Sequence, residues 1–316
     1  MYLVIGGNGF LGRAIVSKLL QRGEQVRVLC RSGFDPPFAP IAPHAHTPTL
    51  ILGDIRDREA VLTACRGCHT VFHTAALPSI SVHWKPFYEI NVLGAQNVID
   101  ACLETGVKKL IYTSSTSVTC GGALPQENMD ESAPYPTRWL AHYPHTKAIA
   151  EQLVLETTGI LRCVVRPHLI MGPGDRHLIP RLLDRARRGK LIRVGDGSNM
   201  MDMTSIDNAV NGHLLAADAL APGSVVDGRI YYITNGRPVN CWAQIDEFLK
   251  EHGLPPVKKS ISFKTAWRIG AALEGLYKLF RLSGEPQMTR FLALELAQSH
   301  YFNISRAKQD FGYEPQ

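Results

Sequence analysis

The segment that decides the fold is Tyr2-Leu3-Val4-Ile5-Gly6-Gly7-Asn8-Gly9-Phe10-Leu11-Gly12, at the start of the chain. Tyr2 to Ile5 is an apolar run typical of a buried strand, and an amphipathic helical pattern continues from Ala14 to Leu20. The glycines between them permit a tight turn and a close approach of a ligand to the backbone. A strand, a glycine turn and a helix N-terminus in this order predict a cradle for the pyrophosphate of a dinucleotide. The residues expected in that cradle are Gly6, Gly9, Phe10, Leu11 and Gly12.

Strand-like apolar runs alternate with helical patterns through the first half of the chain. After the first strand, strands are predicted at residues 25–29, 50–52, 71–76, 110–113 and 163–166, and helices at 59–65 and 91–103. This alternation predicts an α/β fold with a Rossmann-type, doubly wound parallel sheet. Ligands of such sheets bind at the carboxyl ends of the strands. Asp54, Ala75 and Ser115 each lie at the carboxyl end of a predicted strand and are expected at that edge.

The alternation loosens after residue 166, which predicts a second and smaller unit. We expect residues 1–166 to form a nucleotide-binding domain, with residues 204–235 returning to it. Residues 167–203 and 236–316 are expected to form a substrate-binding cap. Five prolines between residues 33 and 49 predict an irregular surface segment.

Length and composition are those of an ordinary globular protein. The 316 residues are 45% hydrophobic and 20% charged, with a formal net charge of +6. No run of roughly 18 apolar residues exists, so no membrane-spanning helix is predicted. A strand that begins at Tyr2 leaves no room for a targeting peptide, which indicates a cytoplasmic protein. The basic segment 175–193 is not interleaved with aromatic residues, so nucleic acid is not an expected partner.

The seven cysteines are odd in number and scattered, which favours free thiols. The segment Cys65-Arg66-Gly67-Cys68-His69 spells a c-type haem attachment sequence. Such attachment needs export, and the segment falls where a helix should give way to a strand. We therefore interpret this segment as accidental and expect no metal site.

The end of the second strand bears on the choice of dinucleotide. An acidic residue there would bind the ribose hydroxyls and select NAD(H). This chain instead has Cys30 followed by Arg31, and a guanidinium suits a 2′-phosphate. We therefore expect NADP(H), with Arg31 as a ligand of the phosphate. The alternative is that Arg31 is merely an exposed loop residue.

A second chemical feature is the segment Tyr143-Pro144-His145-Thr146-Lys147. Residues four apart share a helix face, and Pro144 suits a first helical turn, so Tyr143 and Lys147 are expected side by side. An ammonium beside a phenol favours the phenolate, so Lys147 should lower the pKa of Tyr143. Taken alone, such a pair would more often be two exposed side chains without a function. The motifs upstream favour a site of proton transfer.

The chain resembles the extended short-chain dehydrogenase/reductases over almost its whole length, in the order of its motifs: the glycine turn, Asp54, Ala75-Ala76, Ser115, and Tyr143 with Lys147. The segments 113–115, 143–147 and Arg166-Pro167 resemble the 3β-hydroxysteroid dehydrogenase branch of that family. The resemblance implies that Ser115 binds a substrate carbonyl, that Tyr143 transfers the proton, and that Lys147 holds the nicotinamide ribose. The further cofactor contacts that it implies are Asp54, Ile55, Ala75, Ala76, Asn91, Pro167 and His168.

The C-terminal half resembles, more particularly, bacterial ketoreductases of olefin biosynthesis that use NADPH on long-chain 2-alkyl-3-oxo acids. The segments that carry this resemblance are 172–175, 179–182, 194–197, 261–266 and 284–292. It implies a large apolar substrate, a homodimer, assembly with other enzymes of that pathway, and at most peripheral membrane contact. Thr146 stands where the family often has serine, and the sequence ends at Gln316, where relatives usually continue into a closing helix.

Other functions stay open. A 3β-hydroxysteroid or sterol-carboxylate dehydrogenase would use the same machinery, and a nucleotide-sugar epimerase would want polar groups around its substrate. A non-catalytic NADP(H)-binding sensor would not need Ser115, Tyr143 and Lys147. The stretch Thr265 to Leu282 bears on the choice, because its apolar residues repeat at helical spacing. It predicts either a core-packing helix of the cap or a mobile apolar lid with basic residues facing a membrane or partner proteins.

Overall fold

The structure is a computed structural model that describes residues 1–34, 47–122, 125–175 and 178–316. The irregular segment predicted for residues 33–49 lies largely outside these residues. The strands are β1 (Tyr2–Ile5), β2 (Val26–Cys30), β3 (Thr49–Leu52), β4 (Thr70–His73), β5 (Lys109–Thr113), β6 (Gln126–Met129), β7 (Leu161–Pro167), β8 (Ile170–Met171), β9 (Arg193–Val194), β10 (Met200–Met201), β11 (Thr204–Ser205), β12 (Ile230–Ile233), β13 (Val239–Asn240), β14 (Ser260–Ile261) and β15 (His300–Phe302).

The helices alternate with the strands of the first half and dominate the second. They are α1 (Phe10–Gln21), α2 (Arg58–Cys65), α3 (Trp84–Phe87), α4 (Gly94–Thr105), α5 (His142–Glu156), α6 (Leu178–Arg187), α7 (Ile206–Ala219), α8 (Cys241–Glu251), α9 (Phe263–Leu279), α10 (Arg290–Ala297) and α11 (Ser305–Phe311). A π-helical segment (Tyr88–Leu93) joins α3 to α4, and a 3₁₀ turn (Thr116–Thr119) follows β5.

The central sheet holds seven of the described strands, all parallel, in the order β3-β2-β1-β4-β5-β7-β12. The chain order reverses between β1 and β4, so a crevice opens at the carboxyl ends of these two strands. The prediction of a doubly wound parallel sheet is confirmed.

Both faces of this sheet are buried. Val4 and Val28 belong to the core shared with α1 and α7, whereas Leu3 and Leu29 belong to the core shared with α2 and α4. Successive residues of a strand point to opposite faces, so a sheet covered on both sides requires continuous apolar runs. All seven cysteines are free and buried, and the prediction of free thiols is confirmed.

The other described strands form small sheets, of which the largest has the order β13-β10-β15-β6. A third core supports this region, built around Met201, Trp242, Ala266 and Ala293. Strand β6 comes from the first half of the chain, and α11 packs against α7 and β12 of the central-sheet unit. The boundaries drawn from the sequence between nucleotide-binding domain and cap stay a prediction.

Helix α9 covers most of the stretch expected to be a core-packing helix or a lid, and only one of its faces is covered. Gly270 and Glu274 are buried, and a Cβ on Gly270 would lie 2.6 Å from the backbone carbon of Thr289. The large apolar residues on its exposed side are Ile269, Leu276 and Leu279, continued by Phe280. One face of α9 thus packs against α10 and the third core, and the other is exposed, so the choice between a core-packing helix and a lid stays a prediction. No helix in the described ranges has the length and hydropathy needed to cross a bilayer.

Candidate active site

The glycine turn between β1 and α1 closes so tightly that only backbone fits. Gly6 has a φ of +84°, and a Cβ there would lie 2.8 Å from the Ala75 nitrogen. A Cβ on Gly12 would lie 2.3 Å from the Gly6 oxygen, which also accepts the Gly9 N–H at 2.8 Å. The residues that open α1 are Phe10, Leu11 and Gly12. The N-terminus of α1 is thus free of side chains where the turn approaches β4, which fits a dinucleotide pyrophosphate.

The end of β2 carries no acidic side chain. Burial raises the pKa of the Cys30 thiol, whose Sγ donates to the Ser32 carbonyl at 3.0 Å. Arg31 is exposed and close enough to help lower the pKa of Asp54. The Asn8 amide donates to Ser32 Oγ and to the Gly33 carbonyl, at 3.2 and 2.9 Å, and so ties the glycine turn to this loop. This end of the crevice is therefore neutral to cationic.

Asp54 and Ile55 follow β3 at the same edge of the sheet. Arg56 pairs with Asp54 through two side-chain hydrogen bonds of 3.0 and 2.9 Å, and these hold the pKa of the Asp54 carboxyl below its usual range. Ile55 is buried against Gly94, and a Cβ added to Gly94 would lie 2.5 Å from Ile55 Cδ1. Asn97 Nδ2 donates to the Ile55 carbonyl at 2.9 Å. The backbone of this loop is therefore fixed by α4.

Ser115 and Tyr143 meet at the carboxyl end of β5. Ser115 caps the 3₁₀ turn: its Oγ accepts the Ser117 N–H at 3.2 Å and lies 2.9 Å from Ser117 Oγ. Burial raises the pKa of the Tyr143 phenol, while a hydrogen bond with the Ser115 side chain lowers it by less. The sequence-based expectation that Lys147 lowers this pKa is therefore wrong for the protein by itself, because desolvation of the phenolate outweighs the other effects.

Lys147 lies one helical turn after Tyr143 and is buried. Its Nζ donates to the Thr113 carbonyl at 2.6 Å and lies 4.1 Å from the centre of the Tyr112 ring. Burial lowers the pKa of Lys147 to about 7, with Glu151 acting in the opposite direction. Burial and then Lys147 also lower the pKa of His73 to about 3. The ammonium is thus held by a carbonyl and an aromatic face rather than by a neighbouring carboxylate.

Beneath Lys147 lies a buried ion pair that we did not predict. Glu151 and Arg166 are both almost fully buried, and the Arg166 guanidinium donates to both Glu151 carboxylate oxygens. The Tyr135 hydroxyl donates to Glu151 at 2.6 Å, and Arg166 donates to the Tyr232 hydroxyl at 3.2 Å. The available signal was the spacing of Tyr143, Lys147 and Glu151, which places three polar residues on one face of α5.

Asn91 connects two parts of the site. Its Oδ1 accepts the Leu77 N–H at 2.8 Å, and its Nδ2 donates to Thr146 Oγ1 at 3.0 Å. The Thr146 hydroxyl in turn donates to the carbonyls of His142 and Tyr143, at 2.9 and 3.1 Å. The loop that begins with Ala75 and Ala76 is thereby joined to the first turn of α5. Threonine performs this linking with the hydroxyl that a serine would also offer.

Strand β7 ends at Pro167, and His168 follows it. His168 Nδ1 donates to the Asp202 carbonyl at 2.7 Å, and its Nε2 lies 3.1 Å from His300 Nδ1. Burial, followed by the effect of His300, lowers the pKa of His168 well below its usual value. The structure therefore ties His168 to β15, and the contacts of Pro167 and His168 with a cofactor stay predictions.

Within the described residues, one group of metal-binding side chains could share an ion. It consists of His168, Glu295 and His300, whose ligand atoms lie within 4.8 Å of one another. His300 Nε2 donates to the Glu295 carbonyl at 2.8 Å, so each ring already uses one nitrogen on the backbone. Hydrogen bonds give both rings a structural role, and the expectation of no metal stays a prediction.

A cavity of about 320 Å³ opens beside the first turn of α5. Trp139 stacks on His145 with 4.3 Å between ring centroids, and Trp84 lies 5.0 Å from the same ring. Glu274, Lys278 and Arg290 line the side formed by α9 and α10. Arg290 forms an ion pair with Glu274 at 2.7 Å, whereas Lys278 is exposed and forms no ion pair with any described residue. His145 belongs to the segment 143–147 and Arg290 to the segment 284–292, whereas Trp84 and Trp139 belong to no predicted motif.

The chain matches the 3-beta hydroxysteroid dehydrogenase/isomerase family over residues 3–265. A 2-alkyl-3-oxoalkanoate reductase of Stenotrophomonas maltophilia (strain K279a) is 44% identical, over 99% of this chain and 94% of the relative. A decarboxylating sterol-4-alpha-carboxylate 3-dehydrogenase of Mus musculus is 34% identical, over 99% of this chain and 86% of the relative.

Among solved structures, a double mutant of DesIV, a dTDP-glucose 4,6-dehydratase from Streptomyces venezuelae with NAD bound, is similar with a TM-score of 0.78. The match covers 100% of this chain and 92% of the DesIV chain at 22% identity, and it therefore supports the fold alone. The family match spans most of the chain, and the glycine turn fits the nicotinamide dinucleotides that this family uses. The chain belongs to the 3-beta hydroxysteroid dehydrogenase/isomerase family, and it is an NAD(P)-dependent oxidoreductase of the extended short-chain type.

Proposed function

We propose that this enzyme uses NADPH to reduce the ketone of a long-chain 2-alkyl-3-oxoalkanoate to the 3-hydroxy acid. The observation that carries the proposal is the hydrogen bond between Ser115 and Tyr143, because it places a proton donor at the start of α5. His142 and His145 of the same helix line a cavity with an aromatic wall, and Lys278 in that cavity has no ion-pair partner among the described residues. The 44% identical relative is a 2-alkyl-3-oxoalkanoate reductase, which supports this substrate class.

The chain's own residues would manage the proton. A bound nicotinamide supplies the hydride. The Tyr143 hydroxyl donates its proton to the carbonyl oxygen as that oxygen becomes an alkoxide, and Ser115 Oγ holds the same oxygen by a hydrogen bond. A raised pKa suits this direction, because it keeps Tyr143 protonated and able to donate. Lys147, one helical turn after Tyr143, would hold the nicotinamide ribose, which is the role that the resemblance implies.

We infer a preference for NADP(H) from the charge at the end of β2. Cys30 is neutral, Arg31 is exposed, and Asp54 is already paired with Arg56. A guanidinium–phosphate contact contributes about 1.5–3 kcal/mol, or roughly ten- to a hundredfold in affinity. Calorimetry should show tighter binding of NADP⁺ than of NAD⁺, and Arg31→Ala should remove most of the difference. Arg66→Ala, an exposed arginine after α2, is the control. Equal affinities in the unmodified chain would contradict the preference.

The cavity suggests how the acid group of the substrate is held. Lys278 lines it without an ion-pair partner among the described residues, and Arg290 is neutralised by Glu274. We propose that the carboxylate of the substrate pairs with Lys278. Lys278→Met should raise KM for a 3-oxo acid while leaving KM for the corresponding methyl ketone unchanged. An equal rise for both would exclude this contact.

A 3β-hydroxysteroid or sterol-carboxylate dehydrogenase is the second candidate function. The 34% identical relative from Mus musculus acts on a sterol 4α-carboxylate, which is also a large apolar acid. Two assays separate the candidates. The first measures NADPH oxidation with 3-oxo acids, 3-oxo sterol acids and UDP-sugars, and the second measures NADP⁺ reduction with the matching alcohols. Turnover of the 3-oxo acids at least about tenfold faster than that of sterols supports the proposal, and the reverse order replaces it. A homodimer and assembly with other enzymes of the olefin pathway stay predictions.

A further inference from the structure

Two buried histidine rings, those of His168 after β7 and His300 in β15, face each other through one nitrogen each. His168 Nδ1 donates to the Asp202 carbonyl at 2.7 Å. His300 Nε2 donates to the Glu295 carbonyl at 2.8 Å. A carbonyl oxygen only accepts, so both of these ring nitrogens carry the hydrogen. In neutral rings His168 Nε2 and His300 Nδ1 then both present lone pairs, and these two atoms lie 3.1 Å apart. Two lone pairs at this distance repel each other unless a cation binds them both.

Burial decides which kind of cation suits the two rings. A proton shared between them would make one ring an imidazolium, and both residues are only 5% exposed. Burial and then His300 lower the pKa of His168 well below its usual value, so the neutral ring is favoured. A neutral imidazole whose other nitrogen donates to a carbonyl is the form in which histidine binds metal ions. The arrangement therefore suits a metal ion better than a shared proton.

Glu295 adds a carboxylate to the two nitrogens. One of its oxygens and the two ring nitrogens all lie within 4.8 Å of one another. Glu295 forms no ion pair with any described residue, and its side chain accepts a hydrogen bond from the Cys120 thiol at 3.6 Å. Ligand atoms of one tetrahedral zinc ion lie roughly 3.3–3.6 Å apart, because each is about 2.0–2.2 Å from the metal. Glu295 is partly exposed, so its side chain can rotate to close the remaining distance.

We propose that His168, His300 and Glu295 bind a zinc ion, with water in the fourth position of a tetrahedral site. Nitrogen ligands favour zinc over magnesium and calcium, which prefer oxygen ligands. The carbonyls of Asp202 and Glu295 orient the two rings from the outer side, as carbonyls do around the histidine ligands of metals. The ion would join the end of β7 to α10 and to β15, whose His300 is 132 residues further along the chain. The expectation of no metal site applied to the cysteines of residues 65–69, which this site does not include.

Calorimetric titration with Zn²⁺ tests the site in the full chain, produced without a histidine tag and freed of metal by a chelator that is then removed. We expect about one zinc ion per chain, and Co²⁺ in its place should give the strong visible absorption of a tetrahedral site. Glu295→Gln keeps the shape of the side chain but removes its charge, and should weaken zinc binding by about tenfold or more. The matched control is Glu247→Gln, at an exposed carboxylate in α8, and it should bind zinc as the original chain does.

Two further measurements separate zinc binding from folding and from the thiols. Without metal, Glu295→Gln should unfold within about 1–2 °C of the original chain, because a partly exposed amide replaces the carboxylate without a change of shape. Cys65→Ala/Cys68→Ala should leave zinc binding unchanged. The proposal is overturned if the original chain has no zinc site, if Glu295→Gln and Glu247→Gln bind zinc equally, or if a folded Cys65→Ala/Cys68→Ala variant loses it. All titrations omit cofactor and substrate, so their result does not depend on the proposed function.

Discussion

The buried pair of Glu151 and Arg166 offers the sharpest test of how this site is supported. Glu151→Gln keeps the shape of the side chain but leaves the Arg166 guanidinium buried without a countercharge. Removing one partner of a buried ion pair costs about 3–5 kcal/mol. An unfolding entropy of about 2.1 cal/mol/K per residue gives about 0.7 kcal/mol/K for 316 residues. We therefore expect the Tm to fall by roughly 5–8 °C.

The assay is calorimetric or urea unfolding of Glu151→Gln beside two comparison variants. Glu156→Gln removes an exposed carboxylate from the same helix and should change the free energy of unfolding by less than about 0.5 kcal/mol. Glu151→Gln/Arg166→Met removes both charges and should recover part of the loss. If Glu151→Gln is no more destabilising than Glu156→Gln, the pair does not support the site.

The same variant also has a functional readout. Glu151 opposes the effect of burial on Lys147, so removing its charge should lower the pKa of Lys147 further. The pH at which cofactor affinity changes with the ionisation of Lys147 should then move to lower values. A fall in stability with an unchanged pH profile would mean that Glu151 supports folding only and does not influence Lys147.

Three other predictions concern the site itself. Tyr143→Phe should lower ketone turnover by about 10²–10⁴ with little change in cofactor affinity, and turnover near that of the original enzyme would exclude the phenol as proton donor. Gly12→Ala places a Cβ 2.3 Å from the Gly6 oxygen and should abolish cofactor binding in a fluorescence titration, whereas Gly275→Ala, with open space around it, should not. Because the pKa of Lys147 falls from 10.5 to about 7 on folding, the unfolded chain binds more protons between these values. The burial of Lys147 should therefore not reduce the free energy of unfolding above pH 10.5, and should reduce it increasingly as the pH falls to about 7. In urea unfolding, Lys147→Met should make the free energy of unfolding depend less on pH across that window. An unchanged slope would mean that the lysine is not buried as an amine.

The sequence alone determined the features that depend on neighbours along the chain. The turn at Gly6, Gly9 and Gly12 follows from backbone sterics, and the parallel sheet follows from apolar runs that alternate with helical patterns. The shared face of Tyr143 and Lys147 follows from the helical repeat of 3.6 residues. Each of these is a local property, so periodicity and turn chemistry suffice to predict it.

The tertiary structure decided what those local features meet. Arg166 reaches Glu151 across α5 and β7, and His300 reaches His168 from 132 residues away. Neither contact has a local signature, because it depends on which elements become neighbours. The pKa values also depend on burial, which only the tertiary structure decides. Lys147 was expected to lower the pKa of Tyr143 through its charge, but in the fold burial raises the pKa of Tyr143 and lowers the pKa of Lys147. For α9, the apolar pattern of the sequence lies on several sides of the helix, and only packing determines which side is covered and which stays exposed.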